Sequence, residues 1–529
     1  MKITRRTALG LIAGAIPALG LRGSARAADA ADGPVSRMPP GIGPESGPFE
    51  GNRASLERYQ VPEWFRDAKF GMWAHWGPQS AVEAGDWYAR LMYMQGSDQY
   101  KYHLEHYGHP TKFGFKDTIP LWKAERFDPA RLIGLYRNAG AKYFMTMGVH
   151  HDNFDLWNSR HNRWNAAAMG PRIDIVGAWR KAVRDAGLRF GISEHLWITY
   201  KWYSVAHGSD LTGPLAGVPY DGAAAACKDL YVDSDEVWNM RDLPWNEDQI
   251  PNWWKRHWHD RITDLIDQHE PDFLYSDGSM PFEEYGYSVV SHLYNTSARR
   301  SGGATQAVYF SKRDRDSESG ACVLDRERGV LDDIRTLPWQ TDTCIGDWHY
   351  RRGAQYKTPK MVVDMLADIV SKNGNLMLNV PLPSSGMPDS RELAVVEGIT
   401  QWMAQNAEGI HGTRPWRKFG EGAAVQTADQ GAKQFNESSR RALGPEDVRF
   451  TTKGDVLYAY AMGRPAPGAI IRSLATGTEL KVGRITSVEV LGSDAKVTWS
   501  QDGEGLSIGI PDALPVDHAV GFRVRGALA

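Results

Sequence analysis

A chain of 529 residues is long enough for two or three domains, or for one large domain with an appendage. With 42% hydrophobic and 24% charged residues it has the balance of a folded protein, and 61 Lys+Arg against 64 Asp+Glu (net charge -3) leaves no basic excess of the kind that marks a nucleic-acid binder. Cys227, Cys322 and Cys344 cannot all pair, which excludes a disulfide scaffold, and the compositional outlier is aromatic: of 20 Trp only Trp499 follows residue 420. Flat apolar side chains concentrated upstream suit either the faces of sugar rings or a large core.

Residues 1–27 read as an export signal. Thr4-Arg5-Arg6-Thr7 is a charged start with paired arginines, Ala8 to Leu21 is apolar, and Ala25-Arg26-Ala27 is a small-residue cleavage site. The arginine pair points to twin-arginine export, hence to a bacterial periplasmic or secreted protein. No later segment is apolar enough to span a bilayer. Residues 28–55, rich in Pro, Gly, Ala and Ser, are expected to form a flexible tether.

From residue 60 to 400, short apolar runs ending in polar or aromatic residues recur: Phe70–His75, Tyr143–His150, Arg189–Glu194, Phe273–Asp277, Ala307–Ser311 and Asn375–Val380. Helical patterns lie between them. Pro129 to Gly140 carries Leu132, Leu135 and Tyr136 on one face. Asp174 to Gly187 opens on a capping Asp and stops at a Gly, Trp253 to Glu270 has Trp254, Trp258, Ile262 and Leu265, and Asp364 to Lys372 leads into the last strand. Such alternation predicts a parallel sheet covered on both faces. A (β/α)8-like barrel is preferred to an open sheet because His75, His150, Glu194 and Asp277 all end different strands, and a barrel gathers those ends on one rim. No G-x-G-x-x-G follows a strand, so no dinucleotide fingerprint is present. After about residue 412 short strand-like runs (Val456–Ala461, Thr486–Leu491) and turn dipeptides predict an antiparallel β-sandwich. The expected organisation is thus a catalytic barrel over 56–412 and a sandwich over 413–529.

The rim residues suit carbohydrate chemistry. Asp277, held by a buried strand, fits a nucleophile or general base, or simply a turn. His150-His151-Asp152 offers imidazoles that donate to and accept from hydroxyls; a metal site is the rival reading, though Cys-rich spacing is absent. In Asp86-Trp87-Tyr88 an acid beside a Trp can grip a sugar, and core packing of Trp87 is an equal alternative. Asp325-Arg326-Glu327-Arg328 reads as solvated ion pairs or as the source of a second carboxylate, with Glu194 the competing acid. Residues 196–252 form a long aromatic insertion (Trp197, Tyr200, Trp202, Tyr203, Trp245) that is a lid, a leaving-group site or a surface excursion packed on itself.

An ordered series of motifs resembles the α-L-fucosidases of glycoside hydrolase family 29. It runs from Trp64-Phe65-Arg66-Asp67-Ala68-Lys69-Phe70-Gly71 through His75-Trp76-Gly77, Ala139–Tyr143, His150-His151-Asp152, Asp174–Gly177 and Pro271–Gly278. It continues with Pro338–Thr341, Gly374–Val380, Gly412–Trp416 and Phe450–Asp455. The resemblance implies a retaining exo-glycosidase with no cofactor and no metal, acting on a fucosylated oligosaccharide or glycoconjugate. By it Asp277 matches the nucleophile, His75, His150 and His151 match residues that hold the sugar hydroxyls, and Trp87 and Trp348 look like walls around the ring. Tyr275 stands where many members have Trp, Asp86 where many have Glu, and Asn153 replaces a Gly. The acid/base lies in a variable loop of the family and is carried to Glu327, against Glu194, where flanking Arg326 and Arg328 would oppose the raised pKa a general acid needs. An α-L-galactosidase on the same scaffold and a non-catalytic fucose-binding protein are the alternatives. Linkage and oligomeric state stay open.

Overall fold

The structure, a computed structural model of the chain, describes residues 42–44, 46–232, 247–426, 435–511, 514 and 518–528. The export signal, most of the expected tether and Trp245 lie outside these residues. Eight parallel strands close a barrel in chain order: β1 (Phe70–Ala74), β2 (Tyr143–Val149), β3 (Arg189–Glu194), β4 (Phe273–Tyr275), β5 (Val308–Ser311), β6 (Val323–Glu327), β7 (Trp339–Cys344) and β8 (Gly374–Asn379), with β8 pairing back to β1. Two of them, β6 and β7, were not expected from apolar patterning, because their sequences VLDRE and WQTDTC carry polar side chains into the barrel. The lower interior is filled by large rings set against glycines. A Cβ on Gly71 would meet the Tyr143 ring at 2.4 Å, and one on Gly191 would meet Phe273 at 1.9 Å, so each glycine makes room for the ring of the next strand.

The helices start where their caps dictate. Asp128 accepts from Arg131 N–H ahead of α1 (Pro129–Asn138), and Asp174 from Gly177 N–H ahead of α2 (Ile175–Asp185). Helix α3 (Asn252–His269) follows the insertion, α4 (Glu284–Arg300) follows β4, and α5 (Pro359–Ser371) and α6 (Ser390–Asn406) flank β8; α6 opens on an Asp389/Glu392 capping box. No helix among the described residues is long and apolar enough to cross a membrane.

Two antiparallel sheets follow. One is five-stranded, built from β9 (Arg414–Glu421), β10 (Val448–Lys453), β11 (Val456–Ala461), β13 (Ser487–Val490) and β16 (Val520–Arg525); the other is three-stranded, from β12 (Gly468–Ile471), β14 (Trp499–Gln501) and β15 (Leu506–Gly509). They enclose their own core around Phe450, Leu457, Ile471, Leu506 and Phe522. The outer face of the larger sheet docks on the last barrel helices. Arg449 and Lys372 both pair with buried Asp368, Trp402 donates to the carbonyl of Ala519 at 2.9 Å, and Tyr460 to that of Asn406 at 2.9 Å. Such a buried ionic triad fixes geometry more than it adds stability.

The end of the expected tether is corrected by the structure. Residues 46–56 pack on α4: Phe49 N–H donates to Asn295 Oδ1 (2.9 Å), Asn295 Nδ2 to the Phe49 carbonyl (2.7 Å), and the Phe49 ring meets Tyr294 edge-on at 5.2 Å. The stretch ends in a short helix, Arg53–Leu56, capped by Asn52, and Arg53 pairs with Asp316 while Ser291 donates to the Glu50 carbonyl. Of the insertion, the described first part, residues 196–232, buries Trp197, Tyr200, Trp202 and Tyr203; Trp202 packs edge-on against Tyr203 and against Trp87.

Candidate active site

The C-terminal ends of the strands bring together side chains from almost the whole chain. His75 follows β1, and Asp86 and Trp87 lie in the next loop. His150 and His151 follow β2, His195 follows β3, Tyr275 ends β4 and Asp277 comes two residues later. Lys312 follows β5, Glu327 ends β6, Trp348 and His349 lie beyond β7, and Asn379 ends β8. Asp277 and Trp87 hold left-handed backbone (φ 46° and 57°), a conformation that non-glycine residues adopt at a cost and that aims both side chains off the chain path.

On the β1–β3 side four imidazoles are clustered edge-on or tilted, His150 lying 4.4 Å from His151 and 4.7 Å from His195 between ring centroids. The protein fixes one nitrogen of each ring that faces the pocket. His75 Nδ1 lies 3.2 Å from Asn379 Oδ1, so Nδ1 carries the proton and Nε2 is left as an acceptor. Gln79 Nε2 donates to His150 Nδ1 at 2.9 Å, so His150 Nε2 is a donor. His151 Nδ1 donates to the carbonyl of His195 at 2.7 Å, leaving its Nε2 bare and 3.6 Å from Asp277 Oδ2. Burial, first, and then the neighbouring imidazoles push His75 and His150 far below the ordinary histidine range. Burial pulls His195 down to about 3 against the attraction of Asp277. The cluster is therefore neutral near pH 7, a mixed set of donors and acceptors suited to hydroxyl groups. Asp86 accepts from His349 Nδ1 at 2.6 Å and lies 4.0 Å from His150 Nε2, while Trp87 stands edge-on to His151 and to Trp202 behind it.

On the β4–β7 side the groups are charged. Lys312 Nζ sits between two carboxylates, 2.5 Å from Asp277 Oδ1 and 2.5 Å from Glu327 Oε2. Those oxygens are therefore at most about 5 Å apart, close to the spacing of about 5–5.5 Å that a retaining pair of carboxyl groups requires. The side chains are 22%, 12% and 15% exposed for Asp277, Lys312 and Glu327, so all three are mostly buried yet keep some contact with solvent. Burial raises the Asp277 pKa, but Lys312, then His195 and His151, outweigh it and hold this carboxylate ionised. For Glu327 burial prevails: with the Asp277 charge it outweighs Lys312, and its pKa is raised. Trp348 Nε1 donates to Glu327 Oε1 at 3.2 Å.

The arginines beside Glu327 oppose its raised pKa less than expected from sequence: Arg328 still interacts with the Glu327 charge, but burial prevails. Side chains alternate along β6, so Asp325 and Glu327 point inward while Arg326 points out to Asp314, and Arg328 turns away to Glu437 at 2.7 Å. The same alternation disposes of Glu194. It faces the helix layer, where its carboxylate accepts from Trp258 Nε1 and Leu196 N–H, both at 3.0 Å. Burial pushes its pKa up to about 7 with no access to the rim.

Lys312, His195, His349 and Asp342 were not among the candidates from sequence; Asp325, there part of a charged cluster, lies beneath the floor beside Asp342. Tyr275 OH lies 3.2 Å from Asp277 Oδ1 and 3.3 Å from Asp342 Oδ2, and Gln340 donates to Asp325 at 2.9 Å. Burial and then its Asp325 neighbour push Asp342 well above the ordinary aspartate value, and burial pushes Asp325 up to about 6. By spacing alone three sets could hold a cation: His75, His150 and His195; Asp86, His150 and His349; His151, His195 and Asp277. In the last of these the ammonium of Lys312 already neutralises the carboxylate.

The family model for α-L-fucosidases matches residues 41–408. The chain belongs to the α-L-fucosidase family, glycoside hydrolase family 29. It is 26% identical over 480 residues to the tissue α-L-fucosidase of Rattus norvegicus, covering 87% of this chain and 88% of that one. It is 25% identical over 494 residues to the tissue α-L-fucosidase of Homo sapiens, covering 89% and 91%. Among solved structures, the α-fucosidase of Thermotoga maritima in complex with fucose superposes with a TM-score of 0.66 at 22% identity, over 89% of this chain and 99% of that one. The α-L-fucosidase isoenzyme 1 of Paenibacillus thiaminolyticus gives 0.62 at 20% identity, over 88% and 98%. These likenesses at low identity establish the same fold, a barrel followed by a sandwich.

Proposed function

We propose that this member of the family is a retaining exo-glycosidase that removes terminal α-L-fucosyl residues from glycans. The observation that carries the reading is the carboxylate pair bridged by Lys312, one member held ionised and the other held up toward the protonated form. His75, His150, His151 and Asp86 bind the hydroxyls of the sugar, and Trp87 and Trp348 wall the ring. Asp277 attacks the anomeric carbon while Glu327 protonates the departing glycosidic oxygen. When Asp277 becomes an ester its negative charge is gone, and with it one of the two influences that raise the Glu327 pKa. Lys312 then pulls Glu327 toward the carboxylate, the form that accepts a proton from the incoming water. Tyr275 and Lys312 leave Asp277 Oδ1 bonded, while Oδ2 faces His195 and His151.

The test is to react the purified protein with 2-deoxy-2-fluoro-α-L-fucosyl fluoride and map the adduct by peptide mass spectrometry. Covalent mass on the peptide containing Asp277, together with release of α-L-fucose as first product from an ordinary aryl fucoside, is the expected result. A label elsewhere, or β-L-fucose as first product, would refute the assignment.

The Arg5-Arg6 start supports, as a further part of this reading, a 1–27 signal, twin-arginine export and a periplasmic or secreted location in a bacterium. An R5K/R6K double variant should then accumulate as unexported precursor; unchanged export rejects that route.

A further inference from the structure

A segment of the C-terminal region reaches the rim at the catalytic side of the pocket. The turn Phe435–Glu437, between β9 and β10, lies along the exit of β6. Phe435 N–H donates to the carbonyl of Glu327 itself at 2.9 Å, and Glu437 N–H to that of Arg328 at 3.0 Å. The Asn436 side chain accepts from Val330 N–H (2.9 Å) and donates to the Val330 carbonyl (3.0 Å). The Glu437 carboxylate is almost wholly buried among Arg328 (2.7 Å), Lys357 (3.1 Å) and Thr343 (2.6 Å). Among the described residues the turn is thus clamped by the side chains of its second and third residues, and its first residue contributes a backbone hydrogen bond.

Against that clamp the Phe435 side chain is anomalous. Its ring is 58% exposed, and its backbone is left-handed, φ 59°, a region that favours Gly and Asn over an aromatic residue. Neither burial nor local conformational preference accounts for a phenylalanine here. Its position does: it stands one backbone hydrogen bond from the residue whose carboxyl faces the glycosidic oxygen. Whatever the sugar is attached to must leave past Glu327, on the side away from Asp277.

We infer that Phe435 is the platform for the unit that carries the fucose, a pyranose whose apolar C–H face packs on the exposed ring. This rests on the reading of Glu327 as acid/base. Phe435 is a specificity-determining residue, not one that touches the reacting bond. An exposed aromatic ring that packs on a flat apolar face gains contact area at low entropic cost, since only two side-chain torsions are fixed.

The experiment compares wild type with F435N and F435W on two substrates. F435N keeps a residue at ease in the left-handed region and removes the ring; F435W keeps an aromatic face. One substrate is α-L-fucosyl fluoride, whose leaving group is a single atom that needs neither platform nor acid. The other is whichever of the 1→2, 1→3, 1→4 and 1→6 fucosyl disaccharides wild type cleaves fastest. F435N should lower kcat/KM on the disaccharide by about five- to thirtyfold, mainly through KM, with the fluoride rate within about twofold and F435W within about threefold on both. Equal losses on both substrates, or no loss on either, would overturn the proposal. Wild type inert on both substrates would instead bring down the fucosidase reading on which it rests.

Discussion

The first and second halves of the rim solve opposite electrostatic problems. Strands β1–β3 end in His75, His150, His151 and His195, which burial and mutual repulsion keep uncharged. Strands β4–β7 supply Asp277, Lys312, Asp325, Glu327 and Asp342, where charge is retained around a single ammonium. A neutral hydroxyl is recognised well by neutral donors and acceptors whose other nitrogen is fixed, and little is lost when the sugar displaces water from them. A bond broken through a charged transition state needs charges already in place. On the proposed mechanism the barrel separates recognition from chemistry by strand number, and this division can be tested from its strongest consequence down.

Removal of the nucleophile should have the largest effect. D277A is expected to lower kcat by at least about four orders of magnitude, the scale on which loss of a single nucleophile acts. Near-normal turnover of an aryl α-L-fucoside would break the division outright. E327A comes next, with a loss on the order of 10^2–10^4-fold for a poor leaving group, and far less for the fluoride, which needs no proton. Equal loss on both substrates would mean that Glu327 acts by position and not by proton transfer.

Lys312 sharpens the comparison through pH. It lowers the pKa of both carboxylates it touches, and the proposed mechanism needs Asp277 ionised and Glu327 protonated. In K312M both values rise, so the acidic limb of the kcat/KM profile, set by ionisation of Asp277, moves to higher pH. The alkaline limb, set by deprotonation of Glu327, moves the same way. Both limbs should shift upward by about one unit, with kcat reduced on the order of 100-fold. A profile lowered without being displaced would show that Lys312 only supports the fold.

How far the sequence exposes this site follows from the same division. Strands with apolar interiors announce themselves, and their last polar residues, His75, His150 and Asp277, are legible as rim groups. Strands β6 and β7 are hidden because their inward positions carry Asp325, Glu327, Gln340 and Asp342, which break the apolar run that marks a strand. Lys312 directly follows the legible run ending at Ser311, but a lysine there reads as a solvated strand end; only the fold shows it enclosed by two carboxylates. His195 is overshadowed by Glu194, whose carboxylate looks catalytic until the alternation of side chains along β3 turns it to the helices. E194Q, which preserves the acceptor for Trp258 and Leu196, should keep activity within about threefold of wild type, a contrast with E327A that assay on one aryl fucoside would settle.

The subtlest difference lies under the floor. Asp342 is raised by burial and by Asp325, so the folded protein keeps this proton to higher pH than the unfolded chain, which releases it near pH 4. A group with a raised folded pKa stabilises the fold most fully below its unfolded value and loses that contribution as pH rises through the folded value. The imidazole half responds in the opposite sense. Its depressed pKa values favour the fold above about pH 6.5 and cease to do so as pH falls toward the folded values. In D342N the amide imitates the protonated acid toward Asp325 and still accepts from Tyr275, and it cannot ionise. The unfolding free energy of D342N relative to wild type should therefore increase with pH above about 4, by about 1.4 kcal/mol for each unit over which wild-type Asp342 stays protonated in the fold alone. Thermal unfolding across that range checks it. A difference that stays constant with pH would mean that Asp342 is ionised throughout, and that Lys312 neutralises three carboxylates and not two.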